Sequence, residues 1–245
     1  MQYFTNNKRL ALYSLVLLLA ASHASWAATD GYTLQPYEAE YKVKVSILSG
    51  KMTTKLAATD EGYVATHRLD PQGLAKIIAN GYVEETADFS ISDGAVVSHH
   101  YLSINTLTND TPRAELSFDQ ETHSITGVVD GVTVNEVADS EVHDRISIQY
   151  ELMLDLIKGG STKSYVLFDD DKYKTIEISN IGKKVIRVPA GEFTAIGIQH
   201  KTKGSSKVTT LWCVPELDFL PAIIEQHKDK KRKMRAELIQ YTPKN

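Results

Sequence analysis

The sequence predicts a mainly β chain: a curved antiparallel sheet forming an open barrel or spiral, with one buried central helix at about residues 144–158. Three observations predict it. Short runs of alternating apolar and polar residues recur along the chain, separated by turn residues. One segment abandons that two-residue period for helical spacing. The strands follow one another directly instead of alternating with helices, which favours a barrel, sandwich or wound sheet over a βαβ layout.

The first 27 residues read as a secretory signal peptide. Lys8 and Arg9 supply the positive start, Leu10 to Ala21 an uncharged apolar run, and Ser25-Trp26-Ala27 the small residues that a signal peptidase reads, with cleavage expected after Ala27. A retained anchor would need about 20 apolar residues. No Cys stands near the cut, so there is no lipoprotein box, and no later segment has the length and apolarity of a spanning helix.

The rest, Ala28 to Asn245, is expected to be a single β-rich domain, long enough to bury a core without staples. Tyr37, Ala39, Tyr41, Val43 and Val45 share one face of the first strand, and a Ser49-Gly50 turn is expected to lead into Lys51–Ala57. Strands at 62–67, 82–91, 95–104, 113–119 and 124–129 follow. Asp130-Gly131, flanked by valines, is the strongest hairpin signal in the chain. From Asp144 to Lys158, Ile146, Tyr150, Met153 and Ile157 recur at helical spacing, with Asp144 as N-cap and Gly159-Gly160 as the stop. Apolar Ile148, Leu152, Leu154 and Leu156 widen its stripe, so the helix should be buried on much of its surface. A shorter helical turn is expected at Leu74–Ile78. Seven more strands, at 163–168, 172–181, 183–189, 193–203, 207–214, 222–227 and 234–241, complete the pattern.

Several local strings, in order, resemble one family. They are Tyr37-x-Ala-x-Tyr41, Pro71-x-Gly73-Leu74, Ser117-Phe118-Asp119, Asp144-x-x-Ser147, Val188-Pro189-Ala190-Gly191-Glu192-Phe193, and Thr210-Leu211-Trp212 followed by Leu220-Pro221. Together they are similar to the family catalogued as domain of unknown function 3108, over nearly the whole mature chain. Where that family often has a proline ahead of the tyrosine in the strand ending at Tyr101, this chain has Ser98-His99-His100. The resemblance implies a Gram-negative periplasmic protein with a β-barrel-like or spiral sheet, and implies no reaction.

Composition bounds the function further. Loss of Lys8 and Arg9 takes the net charge from −4 to −6, which argues against a nucleic-acid partner. Cys213 is alone, so no intramolecular disulfide is available, and no neighbouring base or cation activates it. His99 and His100 are adjacent in a strand and point to opposite faces, a poor start for a metal site. Asp169-Asp170-Asp171 lacks the glycine and glutamate of a calcium loop and reads as a turn. No nucleophile elbow, Ser-x-x-Lys, His-Glu-x-x-His or phosphate loop is present, so no catalytic, cofactor or metal residue is assigned and no cofactor is expected.

Two groups remain as candidate binding features. Leu74, Ile77 and Ile78 cluster as a possible rim for an apolar ligand. Lys228, Lys230, Lys231, Arg232, Lys233 and Arg235 form either a solvated hairpin that deters edge pairing or a patch for an anionic surface. The leading expectation is a non-enzymatic periplasmic protein that supports the cell envelope by binding a protein, peptidoglycan or lipid component. The alternatives are a periplasmic carrier or sensor of an apolar ligand, and an envelope hydrolase without a recognisable motif.

Overall fold

In the computed structural model, residues 32–160, 163–169 and 171–244 are described. The expected leader and its cut after Ala27 lie outside them. Eight strands come first: β1 (Tyr37–Val45), β2 (Leu48–Thr59), β3 (Gly62–Gln72), β4 (Val83–Ser92), β5 (Ala95–Asn105), β6 (Arg113–Asp119), β7 (Ser124–Val129) and β8 (Val132–Val137). A short helix, α1 (Leu74–Ile78), interrupts them after β3, and a longer one, α2 (Ser147–Ile157), follows β8. Six strands complete the chain: β9 (Ser164–Asp169), β10 (Lys172–Val188), β11 (Gly191–Thr202), β12 (Lys207–Val214), β13 (Leu220–Lys228) and β14 (Lys231–Pro243).

These strands form one 14-stranded antiparallel sheet in the order β8-β7-β6-β5-β4-β3-β2-β1-β14-β13-β12-β11-β10-β9. Every hairpin pairs with its neighbour in sequence, and β1 pairs with β14 from Tyr37↔Pro243 to Val45↔Met234. The sheet does not close, because β8 and β9 are its two edges. Among the described residues, the outer edge of β9 carries one isolated parallel bridge, His143↔Leu167. A groove of about 460 Å³, with Val134 and Phe168 in its wall, lies along this open seam.

Local chemistry sets the turns. Asp130 and Gly131 both take positive φ, 49° and 82°, the conformation that a two-residue type I′ hairpin demands. The expected turn at Ser49-Gly50 is instead at Ser46-Ile47, where Ser46 adopts φ 56°. Gly50 lies within β2 for a different reason. A Cβ there would stand 3.0 Å from Leu69 Cδ1 and 3.1 Å from the Asp70 carbonyl, so the residue permits close approach instead of a bend. The two strands expected at 172–181 and 183–189 are one, β10, whose register against β11 shifts between Asn180 and Lys183.

Helix α2 is shorter than the expected 144–158. Asp144 Oδ1 accepts from the N–H groups of Ile146 (2.7 Å) and Ser147 (2.9 Å). Ser147 Oγ in turn accepts from the Asp144 N–H at 3.0 Å. Asp144 is therefore not the N-cap expected of it: that position falls to Ile146, which has no side-chain cap bond, and Asp144 instead holds the turn that leads into the first helical residue, Ser147. Gly159, at φ 83°, ends the helix as expected.

The helix is buried on nearly every side: Ser147, Tyr150, Glu151, Leu152, Met153, Leu154 and Leu156 all lie inside. Tyr150, Met153 and Leu154 join the larger core, which also contains Tyr37, Tyr41 and Phe89. The Tyr150 ring stacks on Phe89 at 5.0 Å, and Phe89 on Tyr63 at 5.5 Å. The Tyr37 and Tyr150 hydroxyls meet at 3.0 Å, which satisfies two buried polar tips at once. Leu152 and Leu156 face the other way, onto Ile198, Leu211 and Cys213. The helix therefore divides the space inside the curl. Each of these large side chains contributes about 1.5–3 kcal/mol by leaving water.

One carboxylate fixes the helix axially. Glu151, fully buried, accepts from the Val96 N–H of β5 at 2.7 Å and from Lys163 Nζ, just before β9, at 2.9 Å. It ties α2 to both halves of the sheet. Removing it leaves a buried N–H without an acceptor and a lysine without its charge partner. Glu151→Ala is expected to lower the unfolding free energy by about 2–3 kcal/mol in a denaturant titration. Glu151→Gln, which keeps one acceptor, should recover part of that loss. Equal stability of all three proteins would refute the assignment.

Candidate functional site

The inner faces of β9 to β13 and one side of α2 enclose a cavity of about 490 Å³. Its position follows from strand alternation. Ile176 and Ile178 of β10, Leu211 of β12 and Ile224 of β13 point inward, and Ile148 and Leu152 of α2 close the opposite wall. Next to these lie His200, Thr209 and Gln226, a polar row on β11, β12 and β13 at one level, because Thr209 pairs with both His200 and Gln226. The lining runs out to Thr202, Ser205 and Lys207 beside the β11–β12 turn, and to Asp169 and Lys174 across the β9–β10 hairpin.

The rim is charged and ordered by ion pairs. Lys174 Nζ lies 2.5 Å from Asp169 Oδ2, and Arg145 Nε 3.6 Å from Asp169 Oδ1 and 3.2 Å from Glu85 Oε1. Deeper in, burial and the nearby Lys207 ammonium push the His200 imidazole down to about 4. It is neutral at pH 7 and presents no charge to the cavity. The whole has an apolar wall, a neutral polar belt and a rim of ion pairs with Lys207 beside it. That arrangement suits an elongated apolar ligand with a polar end, since binding sites combine an apolar surface with a few orienting polar groups.

The residues singled out in the sequence fall elsewhere. Leu74, Ile77 and Ile78 sit on α1, outside the curl, and line no part of this cavity; Ala75 is the buried residue of that helix. They are 67 %, 81 % and 74 % exposed. The basic segment forms the β13–β14 hairpin, where Asp229 and Lys230 take positive φ. Arg235 bonds to Glu225 (2.5 Å) and Glu237 (2.7 Å), and Arg232 to Glu225 (3.1 Å). Lys228, Lys230, Lys231 and Lys233 remain exposed.

His99 and His100 do not take the opposite faces expected of them: a β-bulge puts both on the outer face, between the buried Ser98 and Tyr101. The register of β5 against β4 shifts between Asp88 and Phe89, skipping His99. His99 Nε2 meets Ser90 Oγ at 2.8 Å on an exposed face, away from any cavity wall described above. His100 lies 3.7 Å from Asp88 and 3.8 Å from Glu115. No cluster of three or more metal-ligating side chains occurs among the described residues. Asp169 and Asp171 flank the β9–β10 turn; Asp170 lies outside the described residues. Cys213 is fully buried, and desolvation pushes its thiol up to about 12, which keeps it a protonated, unreactive core side chain.

The cavity residues themselves carried no motif. The signal available in the sequence was the second apolar face of α2, Leu152 and Leu156, which needs a surface distinct from the one that covers Tyr150 and Leu154. Whether that surface packs tightly or leaves a space depends on side-chain volumes summed across five strands.

The comparisons with known proteins agree with this architecture. The family described as "Protein of unknown function (DUF3108)" matches residues 32–235. This chain belongs to that family. No curated protein matches. Among solved structures, the chain is similar to a β-barrel-like protein of domain of unknown function DUF1849 from Brucella abortus. The TM-score is 0.59 at 10 % identity, over 87 % of this chain and 100 % of that one. At that identity the likeness is one of fold.

Histidine burial makes stability depend on pH. Burial lowers His67, His143 and His200 from 6.5 to about 4. Between those values the unfolded chain binds more protons than the folded one. Stability is therefore complete above about pH 6.5 and falls as pH drops toward 4. Asp144 and Glu141, whose carboxyls burial raises, act in the opposite sense. For His143, 3 % exposed, the loss at pH 5 is about 2 kcal/mol. The thermal midpoint at pH 5 is expected to lie several degrees below that at pH 7, and His143→Gln should narrow the gap. An unchanged gap would show that His143 is not a source.

Proposed function

We propose that this chain is a non-enzymatic periplasmic protein that holds one apolar chain of an envelope lipid, of the acyl or isoprenoid type, in the cavity between α2 and β9–β13. The observation that carries this reading is the cavity itself: about 490 Å³, within the range of small-molecule sites at about 300–1,000 Å³. Its wall is aliphatic, and His200, set among those side chains, is held neutral. Its rim offers the exposed Lys207 to an anionic head group. The leader-like residues 1–27 and the family resemblance support the periplasmic setting.

This reading favours the carrier over a protein that works through its outer surface alone. It also favours the carrier over a hydrolase. The Ser90–His99 contact lies on an exposed face. Glu151 and Asp155, one helical turn apart, are both engaged by Lys163, so they serve to hold α2 in place.

Native mass spectrometry of protein purified from the periplasm should find a co-purifying lipid. A fluorescent fatty acid should bind the delipidated protein and be displaced by palmitate. Thr209→Trp, which fills the cavity between His200 and Gln226, should weaken that binding at least tenfold, about 1.4 kcal/mol, with the β-sheet circular dichroism unchanged. Absence of both co-purified lipid and fatty-acid binding would refute the proposal.

A further inference from the structure

The meander sends alternate hairpins to the same end of the sheet. The turns after the odd-numbered strands share one end; those after β1, β3, β11 and β13 form a contiguous arc there, over β3-β2-β1-β14-β13-β12-β11, and the turns after β5, β7 and β9, outside that arc, bear Asp110, Asp130, Asp169 and Asp171. At about 4.8 Å per strand, this arc runs roughly 30 Å along the rim.

Two protrusions carry large aliphatic side chains with nothing over them. Ile47, at the tip of the β1–β2 turn, is 86 % exposed, and Leu74, Ile77 and Ile78 of α1 are exposed by two-thirds or more. The two are neighbours. Ser49 pairs with Gln72, so Ile47 and Leu74 each lie two residues beyond the same bridge, and α1 packs against β2 and β3.

The adjoining turns carry lysine. Lys228, Lys230, Lys231 and Lys233 surround the β13–β14 turn, and Lys203 and Lys207 the β11–β12 turn, all exposed. Lys207 pairs directly opposite Lys228. Lys76 sits among the α1 aliphatics. The far end of the sheet has the opposite sign: its turns bear Asp60, Glu61, Asp93, Asp119, Glu121 and Glu216. A chain of negative net charge thus carries a contiguous arc of lysines on one part of this end, with Asp229 among them. Such an asymmetry orients the molecule in the field of an anionic surface.

We infer that this end docks on a bilayer of anionic phospholipid, with Ile47, Leu74, Ile77 and Ile78 entering the headgroup region and the lysine arc resting on the phosphates. The composition favours a lipid surface over a protein partner. Protein interfaces are enriched in aromatic residues and arginine and depleted in lysine. Here lysines surround bare aliphatics, and the two arginines of the segment are engaged by Glu225 and Glu237. Interfacial binding takes this form: apolar side chains at the acyl boundary with cations at the headgroups. The rim of the cavity, at Lys207 and Ser205, belongs to the same arc, so docking would bring its mouth to the membrane. The surface does not depend on the cavity, because empty vesicles suffice to detect it.

The test is co-sedimentation of the purified protein with vesicles containing phosphatidylglycerol, compared with vesicles of phosphatidylcholine alone. Association is expected with the former, and it should weaken at least tenfold in about 1 M salt, where the Debye length is about 3 Å. Lys228→Glu/Lys230→Glu/Lys231→Glu and, separately, Ile47→Asp/Ile77→Asp should each weaken it at least tenfold while leaving fatty-acid binding intact; all five positions are exposed, so the fold is preserved. Thr209→Trp should bind vesicles as the parent does. Absence of association, equal association with both vesicle types, or full association by the charge-reversed protein overturns the inference. So does loss of association in Thr209→Trp, which would assign it to the cavity, and so does elimination of vesicle binding by a periplasmic protein that occupies this face in a stoichiometric complex.

Discussion

The pairing of β1 with β14 is the constraint on which the rest of the structure depends. It places the first and last strands side by side in the middle of the sheet and leaves β8 and β9, which lie close together in sequence, as the two outer edges. Each half of the sheet is then a meander built by local hairpins, and only this seam is long in sequence. The free edges fall at the one connection that contains a substantial helix. Helix α2 enters the curl there and supplies what neither half has alone: an apolar column with a partner on each side.

That position accounts for the polar groups on α2. A helix surrounded by two sheet halves needs its axial position fixed, because aliphatic contacts alone tolerate sliding. Glu151 fixes it through the Val96 N–H and Lys163, and Tyr150 through the Tyr37 hydroxyl. Asp144 and Ser147 hold the entrance to the helix, and His143 extends the chain along β9 by two backbone bonds, to Val166 and from Phe168, both at 2.9 Å. Buried polar groups are costly unless satisfied, and Ser147 and Glu151 are bonded at the start and side of this one element, where they specify its place.

Much of this was legible in the sequence. Period-two alternation located the strands, Asp130-Gly131 the clearest hairpin, and the helical run with Asp144 and Gly159 the buried helix to within three residues at its start. The misplaced turn at Ser49-Gly50 shows where local signals fail: glycine there answers a contact with Leu69, and the sequence holds no trace of a contact before the register is known. The cavity was hidden for the same reason. His200, Thr209 and Gln226 are far apart in the chain and come level only through two strand pairings. Leu74, Ile77 and Ile78 were conspicuous in the sequence as an apolar cluster, but periodicity does not tell an inward rim from an outward protrusion when the helix is a single turn.

The open seam has a consequence for how such a protein can change over time. In a closed barrel the bore is set by strand number and shear, so a wider or narrower interior requires re-registering the whole ladder. In this spiral no hydrogen-bonded ring fixes the diameter; the span between the halves is propped by the side chains of α2. Substitutions at Ile148, Leu152 or Leu156 alter the interior while every strand keeps its partner. The lineage is thus free to retune what it encloses through a single strut, without rebuilding the wall.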